Sequence, residues 1–163
     1  QLTARKVPHK VLVVGEGPAR EWFQNRLPDA IFTGFQGGAD LGRAVASMDM
    51  LFNPSVTETF GNVTLEAMAC RLPTVAARAT GSENLVQEGI TGRLIRPGAI
   101  GKFADALQIY CTDAAARASA GAAAEAQAEH FGWDRVNQAL VDTYLRIIRQ
   151  RTQGAKIRSS PVP

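Results

Sequence analysis

Apolar and polar positions alternate along the chain in short blocks. Residues 11–14 form an apolar run closed by Gly15-Glu16-Gly17-Pro18, which predicts a buried strand and a turn. Trp22, Phe23 and Leu27 then fall at helical spacing over 19–27, and Pro28 stops that helix. The unit recurs: strands are predicted at 31–33, 50–53, 74–77 and 93–95. Helices are predicted at 40–48, 62–69, 83–87 and 100–110. Short apolar strands that each lead into a helix predict a parallel sheet covered on both faces. Right-handed crossovers make it a doubly wound, Rossmann-like α/β domain. Ligands of such sheets bind beyond the carboxyl ends of the strands. The loops at 15–18, 34–38, 53–61 and 78–82 are therefore expected on one face.

The rest of the chain reads as helix. Residues 114–128 hold ten alanines in fifteen positions, a strong helix former without reactive groups. Gly132 separates it from a last helix with an apolar stripe at Val136, Leu140, Val141, Tyr144, Leu145 and Ile148. That stripe reads as core or interdomain packing. Periodicity is lost after Arg151, so 1–150 reads as a domain and 151–163 as a basic, flexible tail.

Composition narrows the class. At 45% hydrophobic and 20% charged residues, the chain is neither disordered, collagenous nor a disulfide scaffold. It contains no apolar run of membrane-spanning length and no secretory leader pattern, which predicts a cytoplasmic protein. The net charge of +3 first suggests a polyanionic partner, but its distribution argues otherwise. Arg146, Arg149, Arg151, Lys156 and Arg158 lie after Leu145 without an acid; removing those five leaves −2 for residues 1–144. No nucleic-acid partner is expected. Cys70, Cys111, His9 and His130 are too scattered to form a metal set, and the thiols read as small hydrophobes.

Two local motifs fail in their context. Gly15-x-Gly17 follows a strand, but the third glycine position is Arg20, and Ile31-Phe32-Thr33-Gly34 lacks the ribose-binding acid. Hydride transfer is thereby disfavoured. Asn62-Val63-Thr64 matches a glycosylation acceptor, yet it stands where a helix begins, so Asn62 reads as an N-cap.

The informative stretch is 53–73. A strand ends at Asn53-Pro54-Ser55; a loop carrying Glu58 leads to Phe60-Gly61 and a helix start. Amides at a helix start attract anions, and a glycine before it lets a diphosphate approach the backbone. Glu66 lies one turn past Asn62 on the same face, where a carboxylate can accept hydrogen bonds from a vicinal diol. Glu58 would face the group beyond the phosphates. Together these features spell a nucleotide sugar. Read alone, Glu58 is equally a solvated loop acid and Glu66 an acid favoured by the helix dipole.

This stretch resembles the signature of the retaining, GT-B-fold glycosyltransferases that carry a Glu-x7-Glu motif. The motif is long and specific: Pro54-Ser55-x-x-Glu58-x-Phe60-Gly61-x-x-x-x-Glu66-Ala67-Met68-Ala69. Flanking matches include Gly15–Pro18, Phe32-Thr33-Gly34-Phe35, Leu72-Pro73-Thr74-Val75-Ala76 and Gly89-x-Thr91-Gly92-x-Leu94. The resemblance spans residues 10–148. It implies the C-terminal, donor-binding half of a two-domain enzyme. Phe60, Gly61, Asn62 and Val63 would offer amides to the donor's phosphates and hexose, Glu66 would hold the ribose hydroxyls, and Glu58, the catalytic residue, would hold the transferred sugar's hydroxyls. Gln36, in the loop after Phe35, would lie against the base. Transfer would retain configuration, with no cofactor and no obligatory metal; the wording of 57–63 is most like members that use GDP-mannose, with UDP-sugars open.

Departures from the family pattern are equally specific. Arg71 and Thr80 stand where glycines are usual, Asn84 where an acid is usual, and Ala99 replaces the acid of Pro-Gly-Asp. The resemblance also implies that the βα unit before Val11, with its phosphate-clamping Arg and Lys, and the acceptor-binding N-terminal domain are missing. The chain alone is expected to be inactive and to bind nucleotide weakly. Partners implied are a nucleotide sugar, that N-terminal domain and, peripherally, the inner face of a membrane. The alternative is a non-catalytic Rossmann-like nucleotide-binding or interaction module. A phosphorylase on the same fold would need a lysine for pyridoxal phosphate, and Lys6, Lys10 and Lys102 are poorly placed for it.

Overall fold

The computed structural model describes residues 1–158. Five strands alternate with helices: β1 (Leu12–Val14), α1 (Arg20–Arg26), β2 (Ile31–Gly34), α2 (Gly38–Ala46), β3 (Leu51–Asn53), α3 (Asn62–Ala69), β4 (Thr74–Ala77), α4 (Thr80–Leu85), β5 (Gly92–Ile95) and α5 (Ile100–Thr112). Then come α6 (Ala114–Ala128), a 3₁₀ turn at Glu129–Phe131 and α7 (Trp133–Arg158). Every strand lies within one residue of its predicted span. The chain divides into two compact units after Ala128.

The strands pair in parallel throughout, but in two sheets rather than one: β1 with β2, and β3–β4–β5. A common doubly wound order is 3-2-1-4-5-6. The order β2–β1 followed by β3–β4–β5 fits it with the central position unfilled. Among the described residues no strand pairs with the second edge of β1 or of β3. Apolar periodicity marks each strand, but it is blind to this gap.

The core gathers around β4, whose residues are all buried. Its side chains alternate between two layers. Val75 and Ala77 meet Phe103, Ala106, Tyr110 and Ala120 of α5 and α6, while Ala76 meets Val86 and Leu94. Placing Val86 in that second layer also ends α4 at Leu85, earlier than the predicted 87: Val86 leaves the helix in an extended conformation.

Alanines in α6 are packing residues. Ala120, Gly121, Ala124 and Ala128 are buried, and a Cβ on Gly121 would stand 2.1 Å from the Arg71 carbonyl oxygen. The end of α3 thus requires a glycine opposite it. Arg71 itself takes a left-handed φ of 61°. Its amide bonds to Met68 and the Leu72 amide to Ala67, a Schellman stop closed by Leu72 packing on Ala67. The departure at Arg71 therefore keeps the usual helix stop, at the cost of a left-handed φ on a non-glycine residue.

In the second unit the apolar stripe of α7 is exposed from Val136 to Ile148. Its backbone is helical to Arg158, past the point where periodicity ends and a tail is predicted. No proline interrupts it before Pro161, and an established helix propagates readily. Residues 159–163 of the predicted tail lie outside the described residues.

Candidate active site

The site is built on the turn from β3 into α3. Asn53, buried at the strand end, accepts from the Ser55 amide through Oδ1 (3.2 Å) and donates through Nδ2 to Thr64 Oγ1 (3.3 Å). This ties the start of the loop to the first turn of the helix. Ser55 Oγ accepts from the Thr57 amide (3.4 Å). Further along, the Glu58 carbonyl accepts two bonds, from the Gly81 amide (2.9 Å) and Thr80 Oγ1 (2.5 Å). The backbone of Phe60 packs so close to Gly81 that a Cβ there would lie 2.8 Å from the Phe60 carbonyl carbon.

The helix cap corrects the expectation for Asn62. Gly61 is the N-cap, at φ 94°, and Asn62 is the first helical residue. A left-handed φ suits glycine and opposes asparagine only mildly, so the chain places its turn at Gly61. No side chain caps the helix. The first α-helical bond runs from the Leu65 amide to the Gly61 carbonyl (3.0 Å), which leaves the amides of Asn62, Val63 and Thr64 without an intrahelical acceptor. Positive partial charge therefore collects there. Asn62 and Val63 are exposed, Glu58 is half-buried, and Glu66 is exposed one turn along the same face.

Glu58, Phe60, Gly61, Asn62, Val63 and Glu66 thus belong to one strand–loop–helix unit. Gln36 stands apart, on the loop after β2, with Nε2 donating to the Thr33 carbonyl (3.0 Å). The four loops expected on one face interact in pairs. Gly15 donates to Gly34 across β1 and β2 (2.8 Å), and 80–81 hold Glu58 across β3 and β4. Two cavities, about 470 and 210 Å³, lie beside β1 and α1, and neither is lined by residues 58–66. Asn53, Thr80 and Gly81 escape the sequence reading as site residues, because the bonds that tie them to Thr64 and Glu58 cross 11 to 23 positions. The signals were the placement of the 78–82 loop on the ligand-binding face and, for Thr80 itself, its departure from the usual glycine.

Comparison with known proteins places the chain in a family. Residues 1–113 match the family described as Glycosyl transferases group 1. A GDP-mannose-dependent alpha-mannosyltransferase of Corynebacterium glutamicum is 41% identical over 86 residues, covering 53% of this chain and 21% of that protein. The D-inositol 3-phosphate glycosyltransferase of Mycolicibacterium paratuberculosis is 33% identical over 162 residues, covering 91% and 37%. The crystal structure of Anabaena Alr3699/HepE in complex with UDP-glucose superposes with a TM-score of 0.75 at 29% identity, covering 88% of this chain and 43% of that one. This is the fold of a GT-B glycosyltransferase domain. The chain belongs to the glycosyl transferases group 1 family. It spans about a fifth to somewhat over a third of the length of those two curated relatives. Among the described residues no helix is long and apolar enough to cross a membrane.

Proposed function

We propose that this chain is the donor-binding domain of a retaining hexosyltransferase whose donor is a nucleotide-diphosphate sugar. One observation carries the reading: an uncapped α3 N-terminus set by Gly61, with Glu58 fixed just before it and Glu66 one turn beyond. The amides of Asn62 and Val63 receive the diphosphate. Negative charge grows on that group as the glycosidic bond breaks, and fixed amides stabilise it without reorganising. Glu66 accepts from the ribose diol, and Glu58 accepts from hydroxyls of the transferred sugar and orients its anomeric carbon. Gln36 approaches from the β1–β2 half toward the base. No metal has a step in this scheme, and no cofactor besides the donor is called for.

GDP-mannose is the favoured donor, supported by the Corynebacterium relative; UDP-sugars are the second choice, supported by the Anabaena complex. The unfilled position between β1 and β3 suits a βα unit of a longer parent chain, together with an acceptor-binding domain. Such an enzyme would work in the cytoplasm, at the inner face of a membrane. Titration of the chain with GDP, UDP and their sugars, followed by amide NMR, tests the assignment. Shifts at Gly61–Val63 that disappear in Glu66→Ala are expected; saturating nucleotide without perturbation of residues 58–66 rejects it.

A further inference from the structure

The Glu58 loop is not held by its own sequence neighbours. Both bonds to the Glu58 carbonyl come from the first residues of α4, 22 positions on in the case of Thr80. Three observations converge there. Thr80 Oγ1 donates to that oxygen at 2.5 Å, and the Gly81 amide donates to it at 2.9 Å. Gly81 has no room for a side chain, because Phe60 and Glu58 fill the space a Cβ would take. A carbonyl with two donors is restrained in direction as well as position. Rotation of the 58–59 peptide would break both bonds at once, so together they fix the backbone path that carries the Glu58 side chain past Gly81.

We infer that Thr80 is a positioning residue for Glu58: its hydroxyl locks the peptide that sets where the carboxylate points, while Gly81 provides the close approach. The role depends on a side-chain hydroxyl at 80, which a glycine at that place could not supply. It rests on the donor-site reading for its functional meaning, but the lock itself is a property of the free chain. Thr80 is exposed and outside the core, so its replacement tests the loop and leaves the packing around β4 untouched.

The test uses the full 163-residue chain with Thr80→Val and Thr80→Ser. Amide hydrogen exchange is read at Gly81, whose proton reports on the Glu58 carbonyl directly. Loss of the hydroxyl is expected to speed that exchange about fivefold, as befits one hydrogen bond, with the serine variant within about twofold of the parent. Unchanged exchange in the valine variant, or equal acceleration in both, overturns the inference. The second readout is binding of GDP-mannose against GDP, repeated with UDP-glucose against UDP. Thr80→Val is expected to weaken the sugar nucleotide about fivefold and the bare nucleotide less than twofold, with serine restoring the difference. General loosening would weaken both alike, and that result also overturns the positioning role. If no probe perturbs residues 58–66 of the parent chain, the donor-site reading fails, and the exchange result alone decides whether Thr80 locks the loop.

Discussion

The first unit holds two halves of very different quality. Around β3, β4 and β5 the central strand is wholly buried, flanked by a strand on each side and packed on both faces. Around β1 and β2 the strand β1 is only half-buried, and α1 buries no residue. Trp22, Phe23 and Phe35 of that half are 52%, 43% and 79% exposed. The contrast shows what a parallel strand needs: neighbours on both edges and cover on both faces. The predicted site follows the same division. Glu58 to Glu66 hang from the well-packed half and are pinned by Asn53, Thr80 and Gly81, whereas Gln36 hangs from the other.

Truncations give the largest test of that contrast. Leu85, fully buried beneath Gly61, is expected to cost about 2–5 kcal/mol as Leu85→Ala. Leu12→Ala in half-buried β1 is expected to cost less than half as much. Urea denaturation of both variants reads this directly, and equal losses would abolish the distinction between the halves.

Glycines offer a second pair. A Cβ on Gly92 would lie 2.1 Å from the Thr74 carbonyl oxygen, so Gly92→Ala forces β4 and β5 apart and is expected to cost about 1–3 kcal/mol. Gly17 has nothing within 4 Å, and Gly17→Ala is expected to stay within about 0.5 kcal/mol. A shift of the denaturation midpoint for Gly92→Ala alone sharpens the picture.

Tyr110 reports on the same core through pH. Burial is the main cause that pushes its phenol above the ordinary value, so the folded state favours the neutral form. The associated stability is complete below the unfolded pKa of about 10 and is lost as pH rises through the folded one. Alkaline melting curves are expected to show this loss, and Tyr110→Phe to reduce it. The smallest effect belongs to Arg71. Arg71→Gly relieves a left-handed φ at the cost of an exposed ion pair with Glu125 (3.4 Å) and is expected to gain up to about 1 kcal/mol, seen as a rise in melting temperature.

Strand identity was legible because each strand is an apolar run between turn residues, and α3 because it follows the Phe60-Gly61 turn. The positions of Glu58 on the loop and of Glu66 one turn into α3 were legible from spacing. The division into two sheets was not, since edge pairing depends on distant residues: Val13 looks as strand-like as Val75, yet only Val75 is enclosed. Asn62 and Gly61 compete for one cap, and the left-handed turn decided for glycine. Thr80 was visible only as a departure from a glycine pair, because a hydroxyl that reaches across 22 residues leaves no periodic trace.

The central claim is that residues 58–66, supported by 80–81, receive the donor. Amide hydrogen exchange of the chain with and without saturating GDP-mannose, and in parallel UDP-glucose, addresses it most directly. New protection is expected at Gly61, Asn62 and Val63, with a lesser change near Gln36 and none in α5 or α6. Protection confined to β1 and α1, or no change at 58–66 under saturation by either donor, would contradict it.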